Sequence, residues 1–488
     1  MEETLAAFSS TLWSPLAYVV LGLGLLFTIA TFGVQIRRFP DMLRQIRQGH
    51  GGEGGLSAFQ ALALTLSARV GVGSIAGVAT AIAAGGPGAL LWMAVTALLG
   101  STVAYAEAVL AQVFKQRVAG EQRGGMPFYI RYGLRAPWLA VIVALISVTG
   151  YGFIFPGIQV NNIASSAKLA FGLETWVTGI IVTALLALVI VGGTKRIVNF
   201  SQAVVPVMSI GFFLCAIVII FVNLDKVPAA ITLIVTSALG IDQMYAGIVG
   251  FAVQWGVRRA VFASAAGDGE GTYAAAAAQN THPGKQGIVQ AFSIYVTVLL
   301  ICMATGLMMV VAGTYNVTDG KGGYIFEGVP GLVAGPNFVQ SAIDTAIPGM
   351  GPAFVSIAVL LFAFTSQIFY FYVATTNLFF LVKNEQARKV LGVVIKLGAL
   401  GISFFGSVAN AGAVWAAGDI GFGLLAWCNM ACLVLLSPVI IKVCRDYDRQ
   451  RKMGIDPVFD PKALGIRGAV FWESPVEERK ATVASAFH

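Results

Sequence analysis

The amino-acid sequence predicts an all-α polytopic membrane protein with about 11 transmembrane helices, two of them broken. Of its 488 residues, 57% are hydrophobic and only 11% are charged, whereas about 25% of the residues of an ordinary soluble domain are charged. Stretches of about 20 apolar residues, long enough to cross a bilayer as a helix, recur along the chain. Most of the 31 basic residues lie in alternate connections between these stretches, as expected for repeated membrane crossings.

Eleven apolar stretches account for most of the chain. The first has no basic residue ahead of it, so we interpret it as a retained span and not as a cleaved signal peptide. The basic connections place the N-terminus outside and the C-terminus in the cytoplasm, across a cell (inner) membrane. A basic inner face beside anionic lipid explains the net charge of +8 without nucleic acid. The predicted spans are residues 15–35, 58–84, 88–113, 138–160, 174–192, 200–222, 238–257, 288–312, 352–381, 390–408 and 412–441.

The second span combines a cation with two glycines at mid-depth, Arg69, Gly71 and Gly73. Each interior glycine weakens a helix by about 1 kcal/mol relative to alanine, so we expect the helix to break there. The free N–H groups after such a break can hold an anion, and the free carbonyls before it can hold a cation. An amino acid carboxylate and a sodium ion form one such pair. The alternative is that Gly73 and Gly77 form a small-residue packing interface.

The seventh span carries a second group of small residues, with Gly247, Gly250 and the lone amide Gln254 near its centre. The second and seventh spans lie five apart and run in opposite directions. This arrangement is typical of an inverted repeat of five helices plus five, with the binding site where the two broken helices meet. The predicted parts are an extra N-terminal helix with its connection, two five-helix repeats and a cytoplasmic tail, at residues 1–56, 57–222, 223–442 and 443–488.

Polar residues within other spans are candidates for the same site. Pro156 is expected to bend the fourth span near Gln159. In the ninth span, Thr365 and Ser366 place adjacent hydroxyls at mid-membrane, where they either bond to their own helix or ligate a cation. A small pocket for a methyl or hydroxymethyl side chain would be lined by Gln159, Gly247, Gly250, Phe251 and Gln254.

Arg69 requires a partner, because a cation at mid-span costs roughly 2.5–3.5 kcal/mol on insertion scales. Glu107 is the only acid of the third span, and an ion pair between these two residues is the favoured prediction. Direct contact of Arg69 with substrate is the alternative. A proton carried by Glu107 is the mechanistic rival.

Two long connections invite an interpretation. The connection 258–287 contains Gly267-Asp268-Gly269-Glu270-Gly271, which is weak evidence for a phosphate cradle without a preceding strand, and its two acids disfavour an anion. We therefore interpret it as a helical cytoplasmic linker. The loop 313–351 is predicted to be a lid or a surface cap.

Several motifs occur in a fixed order between about residues 30 and 472. They are ARVGVGSIAGVA at 68–79 followed by GGPGA at 85–89, GGMP at 124–127, HPGKQGIVQ at 282–290 and DPVFDP at 456–461. In these motifs the chain resembles the alanine or glycine to cation symporters, a family of sodium-coupled amino acid carriers within the amino acid-polyamine-organocation superfamily.

The resemblance implies a LeuT-like fold with one extra N-terminal helix, and uptake of alanine (L or D), glycine or serine with sodium. It implies sodium as the coupling ion and no cofactor. Two positions depart from the family pattern. Ser74 stands where the family usually has Asn, and residues 264–268 read Ser-Ala-Ala-Gly-Asp where the family has a stretch like Ser-Asn-Glu-Ala-Gly.

The resemblance also implies positions for the two ligands. The substrate would lie beside Val72, Gly73 and Ser74, with its carboxylate on the N–H groups of the first two. Sodium would be held by the carbonyls of Ser67 and Val70 and the hydroxyls of Thr365 and Ser366.

The sequence therefore predicts a secondary active transporter that works by alternating access and carries a small neutral amino acid with sodium. A proton-coupled or sodium-independent carrier of another small solute is the alternative. A membrane-embedded enzyme is disfavoured, because no span carries a nucleophile with a base and His50, His282 and His488 all lie outside the spans. A passive channel is disfavoured because no filter repeat is visible.

Overall fold

The computed structural model describes residues 2–48, 54–320 and 322–473. It consists of α-helices with two small antiparallel hairpins. The helices of the first half are α1 (Glu2–Ala30), α2 (Val34–Arg37), α3 (Phe39–Gln48), α4 (Ala58–Arg69), α5 (Ala76–Gly85), α6 (Ala89–Val113), α7 (Met126–Tyr132), α8 (Pro137–Phe153), α9 (Phe155–Phe171), α10 (Thr175–Ile190) and α11 (Gly193–Val222). Strands β1 (Gln116–Val118) and β2 (Glu121–Arg123) pair between α6 and α7.

The second half has the same predominantly helical character. Its helices are α12 (Val227–Ala238), α13 (Val249–Ser264), α14 (Gly271–Ala277), α15 (Pro283–Ile294), α16 (Met303–Ala312), α17 (Pro336–Ala346), α18 (Gly351–Leu381), α19 (Glu385–Val408), α20 (Ala411–Leu435) and α21 (Ser437–Lys452). Strands β3 (Asn316–Thr318) and β4 (Tyr324–Glu327) form the second hairpin. A π-helical segment, Tyr295–Cys302, joins α15 to α16, so that Pro283–Ala312 form one continuous helix.

The predicted fold class is confirmed. Eight helices in the described residues are long and apolar enough to cross a membrane. Two of the three remaining predicted spans correspond to the 16-residue α10 and to the interrupted pair of α4 and α5. The third, 238–257, covers the end of α12 and the first part of α13. The predicted bend of the fourth span is also present, since α8 ends and α9 begins around Ile154, two residues before Pro156.

The first interruption lies where the glycines predict it. Helix α4 begins with a capping box, in which Ser57 accepts the N–H of Gln60 and the side chain of Gln60 accepts the N–H of Ser57. It ends at Arg69, and a single 3-10 turn, Val72–Ser74, separates it from α5. The chain is therefore unwound at 70–75, inside the bundle.

The predicted position of the second interruption is wrong. Helix α13 runs without a break from Val249 to Ser264, and the chain unwinds only at 265–270, before α14. Ala265, Gly267 and Gly269 all have positive φ there, at 46°, 105° and 82°, which two glycines adopt at little cost. Isolated glycines such as Gly250 leave the helical hydrogen bonds intact and did not break the helix.

The segment predicted to be a cytoplasmic linker, 258–287, lies largely inside the protein. Every residue from 265 to 278 is buried, including Asp268 and Glu270 at 2% exposure. Arg258 and Arg259, the first two residues of this segment, are also buried and share the carboxylate of Asp419. The interpretation as a linker was wrong because charged residues in a spanning segment mimic a loop when they pair within the bundle.

The two interrupted helices pack against each other in opposite directions. Helix α5 contacts α13, and α4 contacts α14. A Cβ added to Gly85 would lie 2.9 Å from Cα of Ala252, and one added to Gly73 would lie 3.0 Å from Cα of Ala263. The two interruptions therefore meet in the middle of the bundle, as an inverted repeat requires.

Short segments cover the two ends of this pair. The hairpin β3–β4 covers the end of α5, where the Thr318 hydroxyl donates to the carbonyl of Ala83 at 3.2 Å, so the 313–351 loop forms a cap. At the other end, Lys115 is fully buried and donates to the carbonyl of Ala278, just after α14, at 2.9 Å. The C-terminal segment lies over Lys115, with the ring centres of Phe471 and Trp472 at 4.6 and 5.1 Å from its Nζ.

Helix α21 continues across residue 442, the predicted start of the tail. Residues 474–488 of that tail, with His488, lie outside the described residues, as do His50 and residues 51–53.

Candidate binding site

The first interruption is held by an amide from the bent fourth span. The N–H of Val72 donates to Oε1 of Gln159 at 3.3 Å, and Nε2 of Gln159 donates to the hydroxyl of Tyr370 at 3.1 Å. Gln159 therefore occupies the N–H that the resemblance assigns to a substrate carboxylate. A carboxylate that binds Val72 must displace this amide oxygen.

Ser366 joins α18 to the end of α4. Its hydroxyl lies 3.0 Å from the carbonyl of Ser67 and 3.2 Å from that of Ala68, and it also approaches the carbonyl of Phe362 at 3.1 Å. A hydroxyl donates only one hydrogen, so more oxygen atoms converge here than one proton satisfies. The arrangement offers several oxygen ligands to a hard cation.

The other predicted sodium ligands lie less directly in this cluster. The Thr365 hydroxyl donates to its own helix, at the carbonyl of Phe362 (3.0 Å). The carbonyl of Ala68, and not that of Val70, lies beside the Ser366 hydroxyl in the described residues. The sequence therefore predicted that Ser67 and Ser366 lie together, but not the approach of Ala68, because the register of an unwound turn is not visible in the sequence.

Glycine is required at two positions of the first interruption. A Cβ at Gly71 would lie 2.5 Å from Oγ of Ser366, and one at Gly73 would lie 2.8 Å from Cδ1 of Phe262. The position of Gly73 is compatible with both a helix break and a small-residue packing interface, since it lies at the break and in tight contact with α13. Ser74 donates to the carbonyl of Arg69 at 3.3 Å, so its hydroxyl stabilises the broken end of α4.

Arg69 does not form the predicted ion pair with Glu107. Its Nη1 donates to the carbonyl of Gln290 at 3.2 Å and to the hydroxyl of Ser293. Its Nη2 lies against Gly271, the first residue of α14. Among the described residues, Nη2 and Nε have no hydrogen-bond partner although both are buried.

Glu107 instead holds the second interruption. Its Oε1 accepts the backbone N–H groups of Gly267 at 2.8 Å and Gly269 at 3.1 Å, and the amide of Asn429 at 2.5 Å. The Asn429 amide also donates to the carbonyl of Gly267 at 2.9 Å. The prediction of an Arg69–Glu107 pair was wrong because unwound backbone supplies donors that a list of side chains does not include.

Asp268 and Glu270 are the acidic residues that the sequence analysis placed outside the site. Oδ1 of Asp268 accepts the N–H of Glu270 at 2.9 Å. Both carboxyl groups, like that of Glu107, interact electrostatically with Arg69. The centre of the bundle thus gathers three acids around one arginine. The signal was present in the sequence as two acids between glycines, and the linker interpretation set it aside.

Aromatic rings surround the two interruptions. Phe155 and Phe422 stack with ring centres 3.8 Å apart, Tyr151 lies 5.5 Å from Tyr370, and Phe262 lies 5.2 Å from Phe422. Apolar walls of this kind around a few polar groups are typical of small-molecule sites.

Four of the predicted pocket residues lie away from the two interruptions. Gly247 and Gly250 have no other described atom within 4 Å of an added Cβ, and Phe251 is 51% exposed. Gln254 donates to the Ser14 hydroxyl at 2.8 Å, on α1. They lie at the far end of α13 from the interruption at 265–270, so the prediction that they line the pocket was wrong.

The geometry can bind a cation on carbonyl and hydroxyl oxygens, and a zwitterion between an unwound N–H and a group of carboxyls. Broken helix ends carry partial charges of about half a unit, which act strongly in a buried site.

Comparison with known proteins identifies the family of the chain. Residues 1–461 match the model of the sodium:alanine symporter family. The chain is 43% identical over 439 residues to a sodium/proton-dependent alanine carrier protein of Bacillus sp. strain PS3, covering 89% of this chain and 97% of the relative. It is 32% identical over 457 residues to a sodium/alanine symporter of Methanococcus maripaludis, covering 91% and 96%. A solved structure of a Na⁺-coupled sialic acid symporter is similar over 93% of this chain and 96% of that one, at 14% identity and a TM-score of 0.49. The chain belongs to the sodium:alanine symporter family.

Proposed function

We propose that the protein carries a small neutral amino acid, alanine or glycine, into the cell together with sodium. The observation that carries this proposal is the convergence of the Ser366 hydroxyl on the carbonyls of Ser67 and Ala68, at the broken end of α4. Family membership and the names of the relatives support the same ion and substrate class. Serine and D-alanine belong to the same size class.

The substrate would bind between the two interruptions. Its carboxylate would take the N–H groups of Val72 and Gly73, displacing the Gln159 amide oxygen. Its ammonium group would face the carboxyls of Asp268 and Glu270, and the small side chain would contact the ring of Phe262. Thr365 and Val70 would complete the sodium site after a small movement of α18.

The test is uptake of labelled alanine and glycine by proteoliposomes, with and without an inward sodium gradient. We expect accumulation only with the gradient, and larger neutral amino acids such as leucine to compete weakly. Accumulation of alanine that is independent of sodium would contradict the proposed sodium coupling.

A second candidate is coupling to protons. Two observations favour it: a relative is named sodium/proton-dependent, and three buried carboxyl groups surround one arginine. Uptake driven by a pH gradient without sodium, and lost in Glu270→Gln or Asp268→Asn, would assign proton coupling to the second interruption. Uptake indifferent to the pH gradient would exclude it.

We also propose that the N-terminus lies outside a cell membrane and the C-terminus in the cytoplasm. The basic connections support this orientation. A membrane-impermeant thiol reagent applied to intact cells should leave a cysteine introduced at Lys383 unlabelled and label one introduced at Lys168. The reverse labelling would overturn the orientation.

A further inference from the structure

A cavity of about 980 Å³ lies at one end of the bundle, between α10, α11, α18 and α19. Five basic and two acidic residues line it: Arg123, Lys383, Arg388, Lys389, Lys396, Glu121 and Glu385. It adjoins, at Glu121 and Thr194, an opening of about 460 Å³ that lies beside Gln60 and Ala277, at the ends of the interrupted helices. The function proposed above does not use the larger cavity.

The acids of this cavity neutralise only two of its cations. Glu121 pairs with Arg123 at 2.7 Å, and Glu385 pairs with Lys389 at 3.0 Å. The Arg388 guanidinium donates to the main-chain carbonyls of Val382 and Phe379 at the end of α18. In the described chain, Lys383, Arg388 and Lys396 have no acidic partner, so the cavity carries an uncompensated positive charge.

Lys396 is the cation of this cavity that lies furthest along α19. It is eleven residues beyond Glu385 on α19, about 16 Å along the helix at 1.5 Å per residue. The neighbouring residues Val393 and Leu397 are 53% and 64% exposed, as expected for a surface that faces acyl chains. An anion in the cavity would stabilise an unpaired lysine this far along an apolar helix.

Apolar residues close in sequence to the cavity lining are exposed. Leu188 and Val191, at the end of α10, are 65% and 69% exposed, and Val390 on α19 is 59% exposed. A free inorganic anion gains no binding energy from apolar surfaces. A phospholipid can contact them with its acyl chains while its phosphate enters the basic cavity.

We propose that this cavity binds the headgroup of an anionic phospholipid, whose phosphate is attracted by the unpaired cations Lys383 and Lys396. The lipid bridges α10 and α11 to α18 and α19, and α18 carries Ser366. The site thus links the lipid leaflet to a helix next to the interruptions, without contacting the amino acid site.

The test measures lipid retention by the full chain purified in detergent, using native mass spectrometry with added phosphatidylglycerol. The variant Lys383→Gln/Lys396→Gln should bind phosphatidylglycerol about thirtyfold more weakly, since each lysine close to an anionic headgroup contributes about a factor of five. Lys383→Arg/Lys396→Arg should retain most of the binding. The control Lys168→Gln/Lys226→Gln removes the same charge from other connections and should bind like the wild type.

Two competition experiments distinguish a bound lipid from a bound free anion. Phosphatidylcholine should not compete, and inorganic phosphate at millimolar concentration should not displace the lipid. Displacement by phosphate would replace the lipid by a free-anion site and overturn the proposal. Equal affinity of phosphatidylglycerol for the wild type and the glutamine variant would also overturn it. Lys383→Gln alone alters an exposed residue, so it provides the same comparison if the double variant does not fold.

Discussion

Oε1 of Glu107 accepts the backbone N–H of Gly267 at 2.8 Å, and this contact fixes α6 to the second interruption. The same oxygen also accepts the N–H of Gly269 and the amide of Asn429. A carboxylate that accepts several donors in a buried place shapes the backbone around it. Glu107 therefore acts on the geometry of the site, through the conformation of residues 265–270.

Replacing Glu107 should separate this positioning role from proton carriage. Glu107→Ala leaves buried donors unsatisfied, at about 1–3 kcal/mol for each group, so alanine uptake should fall at least about tenfold. Glu107→Gln keeps an acceptor oxygen and should retain uptake within a few fold, with an unchanged pH profile. Uptake and its pH profile in proteoliposomes are the measurements. A Glu107→Gln protein that has lost all pH dependence would instead identify Glu107 as the proton carrier.

Ser366→Ala should weaken sodium binding. Losing one hydroxyl ligand to a charged group costs about 1.5–3 kcal/mol, so the sodium concentration for half-maximal uptake should rise about tenfold or more. Thr365→Ala should also raise the sodium requirement, while changing amino acid selectivity little. The matched control is Ser407→Ala, whose hydroxyl donates to its own helix at the carbonyl of Phe404. Unchanged sodium dependence in Ser366→Ala would remove it from the site.

Gly73→Ala should abolish transport while leaving the protein in the membrane. The added Cβ would lie 2.8 Å from Phe262 and 3.0 Å from Cα of Ala263, and overpacking of this kind typically costs about 1–3 kcal/mol. Gly73→Val should have a larger effect. Gly250→Ala is the control, because its Cβ meets open space. Normal alanine binding by Gly73→Ala, measured by equilibrium binding, would contradict the assignment of the carboxylate to this turn.

Stability should fall in mildly acidic solution through His282, which caps α15. Nδ1 of His282 accepts the N–H of Gly284 at 3.0 Å, and Nε2 lies 3.3 Å from Oδ2 of Asp446. Burial lowers the pKa of His282 below its usual value of about 6.5, although Asp446 opposes this shift. The neutral ring therefore stabilises the fold above about pH 6.5, and the contribution is lost as the pH falls below that value toward the folded-state pKa.

The measurement is the melting temperature of the detergent-solubilised protein at pH 7.5 and 5.5. We expect a decrease at pH 5.5 in the wild type and a smaller decrease in His282→Asn, which cannot be protonated in this range. An equal decrease in both proteins would assign the pH sensitivity to other groups.

The sequence predicted the features that depend on composition and on local backbone preference. Apolar length identified the spans, and Gly71 and Gly73 identified the first interruption. The second interruption was misplaced because Gly247 and Gly250 look alike in sequence to glycines that break a helix. The glycines that lie at the interruption, Gly267 and Gly269, were assigned to the predicted cytoplasmic linker.

The partners of buried charges could not be predicted for a related reason. Arg69 was assigned to Glu107 by counting ionised side chains, but it binds the carbonyl of Gln290. Glu107 binds backbone N–H groups. Main-chain donors and acceptors become available only where the helix unwinds, and their direction depends on tertiary packing. The approach of the Ala68 carbonyl to the Ser366 hydroxyl was not predicted for the same reason.

The burial of Lys115 has a consequence for how the chain can be shortened. Its ammonium group donates to the carbonyl of Ala278, just after α14, and the rings of Phe471 and Trp472 cover it. Truncation after Lys452 would remove both rings and expose to water the ammonium group that holds the C-terminal end of α14. A shortened protein would then hold the end of α14 less firmly, even though every residue of the two interruptions is still present.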